Sequence, residues 1–280
     1  MNSFLLITGA TGGLGRAFVL EAAGRGYDLF LTDKHPEGGC FASRLSEKFK
    51  INVIYRPCDL ADELAREEFI ASLKAEGRVF WGLINVAGLD YEGNFLEKNR
   101  TQILKILKIN ILGTLDITHG VLPLHDPDQP FRLINVCSLA GFYPMPYKAT
   151  YAASKRFLLD FSRALREEIK PFGTVTALCP SGMPTTVADM RSMFAQGFWG
   201  LATCVNTDVV ARRTLRAALR GTAVVIPGWI NQFVQLFSSL LPVSLQVRYV
   251  AKRWSKSRAK LEESSFLFSQ ELNSQNNAAG

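Results

Sequence analysis

Short apolar runs rich in β-branched and aromatic residues alternate along this chain with longer segments of helical period. The runs Phe4 to Thr8, Tyr27 to Thr32, Ile51 to Arg56, Phe80 to Val86, Arg132 to Cys137, Thr174 to Leu178 and Ala223 to Ile226 predict strands. Helical spacing predicts helices over 14–25, 39–49, 61–76, 97–122, 149–170 and 207–220. For the last of these the pattern places Thr207 at the N-cap, Arg212, Arg213, Arg216 and Arg220 on polar positions, and Gly221 where a glycine stops a helix. Strand-helix alternation at this spacing predicts βαβ units, and so an α/β fold with a mainly parallel sheet covered by helices on both faces. Right-handed crossovers make that sheet doubly wound and Rossmann-like, with one ligand crevice at the carboxyl ends of its strands. Residues 1–227 read as one undivided domain.

After Pro227-Gly228 the pattern changes. Trp229, Ile230, Phe233, Val234, Leu236, Phe237, Leu240 and Leu241 form an apolar stripe at helical spacing, Pro242 punctuates, and a basic segment follows. Residues 228–263 therefore read as an amphipathic, basic helical extension, and 264–280, rich in Ser, Gln, Asn and Ala, as a disordered tail.

The composition, 48% hydrophobic and 20% charged, is that of a globular protein. The net charge of +7 invites a nucleic-acid reading, but Arg248, Lys252, Arg253, Lys256, Arg258 and Lys260 lie in one stretch without an acidic residue and leave +1 for the rest. No nucleic-acid partner is therefore expected. The extension suits a cap on the pocket, a subunit contact, a solvated helix, or a membrane surface touched through residues 229–260. The five cysteines are odd in number with no C-x-x-C pair, and the three histidines lack ligand spacing, so no metal is expected. The N-terminus lacks the charged region of a secretory signal, and nowhere do eighteen apolar residues run together. The expected location is cytoplasmic, with membrane association through the extension left open.

Thr8-Gly9-Ala10-Thr11-Gly12-Gly13-Leu14-Gly15 lies between the first predicted strand and helix, where glycines let the backbone approach a pyrophosphate at a helix N-terminus. Asp33 ends the second strand, positioned to accept from ribose hydroxyls and to repel a 2′-phosphate, which favours NAD(H) over NADP(H). Tyr151 and Lys155 stand four residues apart on one helix face. Ser138 closes a predicted strand, Asn110 lies in the preceding long helix, and Asn85-Val86-Ala87-Gly88 ends the fourth strand, so these features border one crevice.

In order and spacing these motifs resemble those of the classical short-chain dehydrogenase/reductase family, over about residues 3–227. The resemblance implies a nicotinamide cofactor, NAD(P)(H), and a catalytic set of Ser138, Tyr151, Lys155 and Asn110. It implies cofactor contacts from Thr8, Gly9, Thr11, Gly13, Leu14, Gly15, Asp33, Asp59, Leu60, Asn85, Ala87, Gly88, Tyr151, Lys155, Pro180 and Thr185. It also implies a homodimer or homotetramer. Val86, Cys137 and Ser181 depart from the family pattern, where an asparagine, a serine and a glycine are usual.

Hydride transfer to a carbonyl needs a proton donor, and Tyr151 serves if Lys155 brings its pKa down from ~10 towards neutrality. Ser138 would bond the substrate oxygen, and Asn110 would order a water leading from Lys155 to solvent. Phe142, Tyr143, Pro144, Met145, Pro146 and Tyr147, with Met183, Met190, Met193, Phe194, Phe198 and Trp199, favour a lipophilic alcohol or carbonyl substrate. A non-catalytic nucleotide sensor or scaffold and a sugar-nucleotide epimerase or dehydratase are the alternatives. The complete catalytic set argues against the first, and the glycine spacing and lack of a sizeable C-terminal substrate domain argue against the second.

Overall fold

A computed structural model describes residues 3–185, 190, 191, 193, 194 and 197–256. The expected tail at 264–280, together with Arg258 and Lys260 of the basic segment, lies outside the described residues. Seven strands form one sheet: β1 (Phe4–Thr8), β2 (Leu29–Thr32), β3 (Val53–Tyr55), β4 (Phe80–Asn85), β5 (Phe131–Val136), β6 (Gly173–Leu178) and β7 (Val224–Val225). Their order is β3-β2-β1-β4-β5-β6-β7 and every pairing is parallel. The fold is thus the doubly wound one that the alternation predicts. The strand order reverses between β1 and β4, which places the crevice at their carboxyl ends.

The apolar runs show no alternation in sequence because both faces of the sheet are covered. Leu5, Ile7, Leu29, Leu31, Ile84 and Ile134 enter one core with helix α1 (Gly13–Ala23) and helix Thr207–Leu219. Their neighbours Phe4, Leu6, Phe30, Leu83 and Leu133 enter a second core, with residues of α3 (Glu63–Ala75), α5 (Thr114–Val121) and α6 (Ala149–Glu168). Successive side chains therefore split between the two layers, as the pleat requires.

Two helix details differ from the sequence reading. The 97–122 segment is not one regular helix: α4 (Arg100–Leu107) passes into α5 through a π-helical turn over Lys108–Gly113. The core face of that turn carries Asn110 and Gly113, with Ile106 and Ile117 flanking it, so the apolar positions on either side read in sequence as one helix. Helix Thr207–Leu219 is capped by Asn206, whose side chain accepts from the Asp208 amide at 3.1 Å, and not by Thr207. Gly221 does end it, with φ of 76°.

The extension is helical over Trp229–Ser239 and again over 243–256. Trp229, Phe233, Leu236, Phe237 and Leu240 stay exposed along the first of these helices, and Arg248, Lys252 and Lys256 along the second.

Phe30 carries much of the second core, fully buried with edge contacts to Phe4, Phe69 and Phe80 at 6.4, 6.0 and 5.9 Å between centroids. Phe30→Ala is expected to cost about 3–5 kcal/mol of stability in urea unfolding. A loss below about 1 kcal/mol would show that this cluster is not a cooperative part of the core.

Candidate active site

At the switch point a threonine hydroxyl holds the crevice together. Thr8 Oγ1 accepts from the Val86 and Ala87 amides at 3.1 and 3.3 Å, tying the end of β1 to the loop leaving β4. Beside it three glycines of the turn have no room for a side chain. Gly9 has φ of 63°, and a Cβ there would meet the Ala87 nitrogen at 2.8 Å. A Cβ on Gly15 would meet the Gly9 carbonyl oxygen at 1.9 Å, and one on Gly13 would meet Thr185 Cγ2 at 2.9 Å. Thr185 of the loop after β6 thus lies directly against the turn. Helix α1 begins at Gly13 with no capping side chain and no acidic residue in its first turn. Its positive dipole end is therefore free of side-chain compensation. Leu14 is buried in the core, so only its backbone is available to a ligand.

The expected adenosine-side residues divide. Asp33 Oδ2 accepts from Thr11 Oγ1 at 2.7 Å and the Thr11 amide at 3.0 Å, and Oδ1 from the Lys34 amide at 2.7 Å. Its carboxylate is fixed beside the glycine turn. Asp59 is exposed and accepts from the Ala61 amide at 2.9 Å, whereas the Leu60 side chain is buried in the core. The Asn85 side chain does not serve a ligand: its amide donates to Thr118 Oγ1 and Asn135 Oδ1, both at 2.9 Å, inside the sheet. The physical reason is register, since Asn85 and Asn135 are paired neighbours on β4 and β5.

On the other side of the crevice Ser138 follows β5 and caps a short 3-10 turn, its Oγ accepting from the Ala140 amide at 3.1 Å. The Ser138 hydroxyl also acts on the Tyr151 phenol, favouring its ionised form. Pro180 joins this loop to the next, its carbonyl accepting from the Leu139 amide at 2.9 Å. One turn along α6 from Tyr151, Lys155 is only 3% exposed. Its Nζ donates to the Val136 carbonyl at 2.7 Å and lies 5.7 Å from the Tyr151 ring centroid. Gly88 leaves room for that ammonium, because a Cβ would stand 3.2 Å from Nζ. Asn110, in the π-helical turn, is fully buried. Its Oδ1 accepts from the Leu89 amide at 2.8 Å, and its Nδ2 donates to the Leu89 carbonyl and Ser154 Oγ, both at 3.0 Å. Its side chain thus clamps α6 to the loop after β4.

Electrostatics also departs from expectation. Burial, reinforced by Asp90, pushes the Tyr151 phenol up to about 12, against the smaller opposing effects of Ser138 and Lys148. Burial likewise lowers the pKa of Lys155. Proximity of a lysine was expected to acidify the tyrosine, but desolvation disfavours both charged forms. The resting state at neutral pH is therefore a protonated phenol.

A family model described as "short chain dehydrogenase" matches residues 3–194. The chain belongs to the short-chain dehydrogenase family. Among curated relatives it is 26% identical over 268 residues to a very-long-chain 3-oxoacyl-CoA reductase of Bos taurus, covering 90% of this chain and 83% of that one. It is 33% identical over 175 residues to the same-named protein of Laccaria bicolor, with 60% of this chain and 51% of that one aligned, so it spans about half of the fungal relative. Among solved structures, the bulky-bulky ketone specific alcohol dehydrogenase of Comamonas testosteroni superposes with a TM-score of 0.70 at 24% identity, covering 86% of this chain and 96% of that one. A Sphingobium yanoikuyae short-chain dehydrogenase in complex with NADPH superposes at 0.69 with 24% identity, over the same shares of the two chains.

Short-chain dehydrogenases are oxidoreductases that use NAD(P), and the close-packed glycines of the turn with its uncapped helix end fit such a dinucleotide. The family motifs do not reveal four further residues, Lys148, Asp90, Trp254 and Asn231. Lys148, one turn before Tyr151, pairs with Asp90 at 2.7 Å and Glu92 at 3.4 Å, and Trp254 of the terminal helix packs over its ammonium at 4.9 Å. The helical spacing of Lys148 and Tyr151 is a sequence signal for the first of these; nothing in sequence pairs it with Trp254. The fourth residue, Asn231, explains Ser181. The Ser181 hydroxyl donates to the Thr203 carbonyl, and Asn231 Nδ2 lies 2.9 Å from Ser181 Oγ, 3.0 Å from the Thr203 carbonyl and 2.7 Å from the Pro227 carbonyl. The departure from glycine is thus a latch for the extension.

Proposed function

We propose that the protein reduces the carbonyl of a lipophilic substrate, with NADH as the preferred cofactor. The observation that carries this reading is the gathering of Ser138, at the end of β5, with a protonated Tyr151 and the buried Lys155, whose ammonium lies 5.7 Å from the Tyr151 ring, at the carboxyl ends of the strands. When bound, the nicotinamide supplies the hydride. Tyr151 Oη gives its proton to the carbonyl oxygen as negative charge builds there, so ketone, hydride and proton become a secondary alcohol. Ser138 steadies the same oxygen by hydrogen bonding. Lys155, held by the Val136 carbonyl, stabilises the phenolate until solvent reprotonates it. The Asp33 carboxylate, fixed by Thr11, accepts from ribose hydroxyls and repels a 2′-phosphate.

Support for a lipophilic substrate comes from the relatives named very-long-chain 3-oxoacyl-CoA reductases, and Phe95, Pro146 and Tyr147 share a depression with Asn94, Lys98 and Thr150 in the loops flanking Lys148. The apolar stripe Trp229, Phe233, Leu236, Phe237 and Leu240, followed by exposed Arg248, Lys252 and Lys256, suits the surface of an anionic bilayer. Among the described residues no helix is long and apolar enough to cross a membrane.

Tyr151→Phe should abolish reduction of long-chain ketones while dinucleotide binding, followed by NADH fluorescence, survives; turnover by the purified variant would remove Tyr151 from the reaction. In wild type, reduction should stay level through neutral pH. The reverse oxidation, which needs the phenolate, should climb about tenfold per pH unit.

Steady-state kinetics should give NADH a kcat/KM at least about tenfold above NADPH, with Asp33→Ala narrowing the gap. A preference for NADPH in wild type would refute the role given to Asp33.

In flotation with phosphatidylserine vesicles the full chain should rise with the lipid. A Trp229→Ser, Phe233→Ser, Phe237→Ser variant should remain below, and equal flotation of the two would dismiss the membrane surface.

A further inference from the structure

The extension is fastened at two places, and both bear on the candidate active site. Its first helix is latched by Asn231 to Ser181, Thr203 and Pro227. Its second helix, 243–256, returns to the rim of the crevice, where Trp254 is 8% exposed although most of its neighbours face water. The Trp254 ring covers the Lys148 ammonium at 4.9 Å, and that same ammonium lies 5.8 Å from the Tyr151 ring centroid. Lys148 bonds Asp90 Oδ2 at 2.7 Å; Asp90 Oδ1 is buried with no hydrogen-bond partner among the described residues. A carboxylate so placed depends on its lysine for compensation, since a buried anion without a partner is costly.

We propose that residues 243–256 form a strap that is a working part of the active site: Trp254 holds the Lys148–Asp90 ion pair against Tyr151, making Lys148 and Asp90 positioning residues for proton transfer. The inference rests on Tyr151 being the proton donor.

The physical argument is one of opposed charges at short range. Asp90, in the loop after β4, disfavours the phenolate, and Lys148, at the start of α6, favours it. Held together they offset one another in part, with Asp90 the stronger; separated, each would act alone on a phenol in a low-dielectric setting. An aromatic face is a good seat for a lysine ammonium that must stay out of bulk water, because it attracts the cation without neutralising it. The other charged or titratable groups around Tyr151 are Lys155 on α6, Cys137 at the end of β5, and Glu92, which meets Lys148 at 3.4 Å. Arg253 of the strap acts on Tyr143, where its charge opposes the effect of burial.

The test follows the Tyr151 phenol by carbon NMR in protein labelled at tyrosine Cζ, with the resonance assigned by its loss in Tyr151→Phe. Asp90→Asn should titrate about one pH unit below wild type. Adding Lys148→Met to that variant should carry the titration back up by a similar amount. Adding Trp254→Ala instead should carry it part of the way, because the released ammonium becomes solvated, and Trp254→Phe should leave it in place. Circular dichroism identifies any variant that fails to fold. Identical titrations in wild type and Asp90→Asn would overturn the proposal, as would a Trp254→Ala titration equal to that of Asp90→Asn alone. If the titrations move as expected but no variant or wild type reduces a ketone, the proposed reaction fails and the strap stands. If Tyr151-dependent reduction is found and the titrations coincide, the strap fails and the reaction stands.

Discussion

Burying an ammonium is costly unless something compensates it, and the 3% exposure of Lys155 sets that condition for the whole crevice. The Val136 carbonyl receives it at the point where β5 ends and its ladder partner runs out. Space for it requires Gly88, and α6 itself packs so closely on Gly141 that a Cβ there would meet the Lys155 carbonyl oxygen at 2.9 Å. The loop after β4 must in turn stay where Thr8 and Asn110 pin it. A π-helical turn is the backbone form that carries Asn110 here, and through Ser154 the asparagine reaches the helix that bears the lysine. Each element bordering the site is thus fixed by a bond that also supports the buried charge.

The same low-dielectric setting decides the resting protonation of Tyr151. A lysine in water would make a neighbouring phenol more acidic, but here the lysine is itself desolvated and an aspartate from another loop lies nearby. Burial wins because it acts on the phenolate at full strength and Asp90 adds to it, while Lys148 offsets only part of that. A protonated phenol with a hydroxyl partner is ready to donate, which matches reduction better than oxidation at neutral pH.

Much of this was legible in the sequence, for identifiable reasons. Apolar runs bounded by glycine and polar residues placed all seven strands, because a sheet covered on both sides leaves a strong local signal. The glycine turn was readable because only glycine fits the contacts at Gly9 and Gly15. What local pattern could not supply was long-range. Asn85 looked like a ligand contact until register placed it opposite Asn135, and the π-helical turn, whose buried face is Asn110 and Gly113, hid between apolar positions on either side. Ser181 looked like a defect in a family motif until Asn231, fifty residues later, was found bonded to it. Tyr151 looked acidified because spacing shows the lysine on its own helix and says nothing about Asp90 or solvent exclusion.

The basic extension joins these threads. As a charge count it suggested one surface property, yet the folded segment divides its residues between two environments. Arg248, Lys252 and Lys256 face water, while Trp254 turns inward onto a lysine that belongs to the catalytic helix. A helix anchored only by surface charge would have no need of that inward ring. Conversely, a helix serving only as a pocket wall would have no need of an exposed apolar stripe preceding it. The two features coexist if the extension faces lipid on one side and the reaction on the other, so that a lipophilic substrate leaving a bilayer would meet the strap before it met Tyr151.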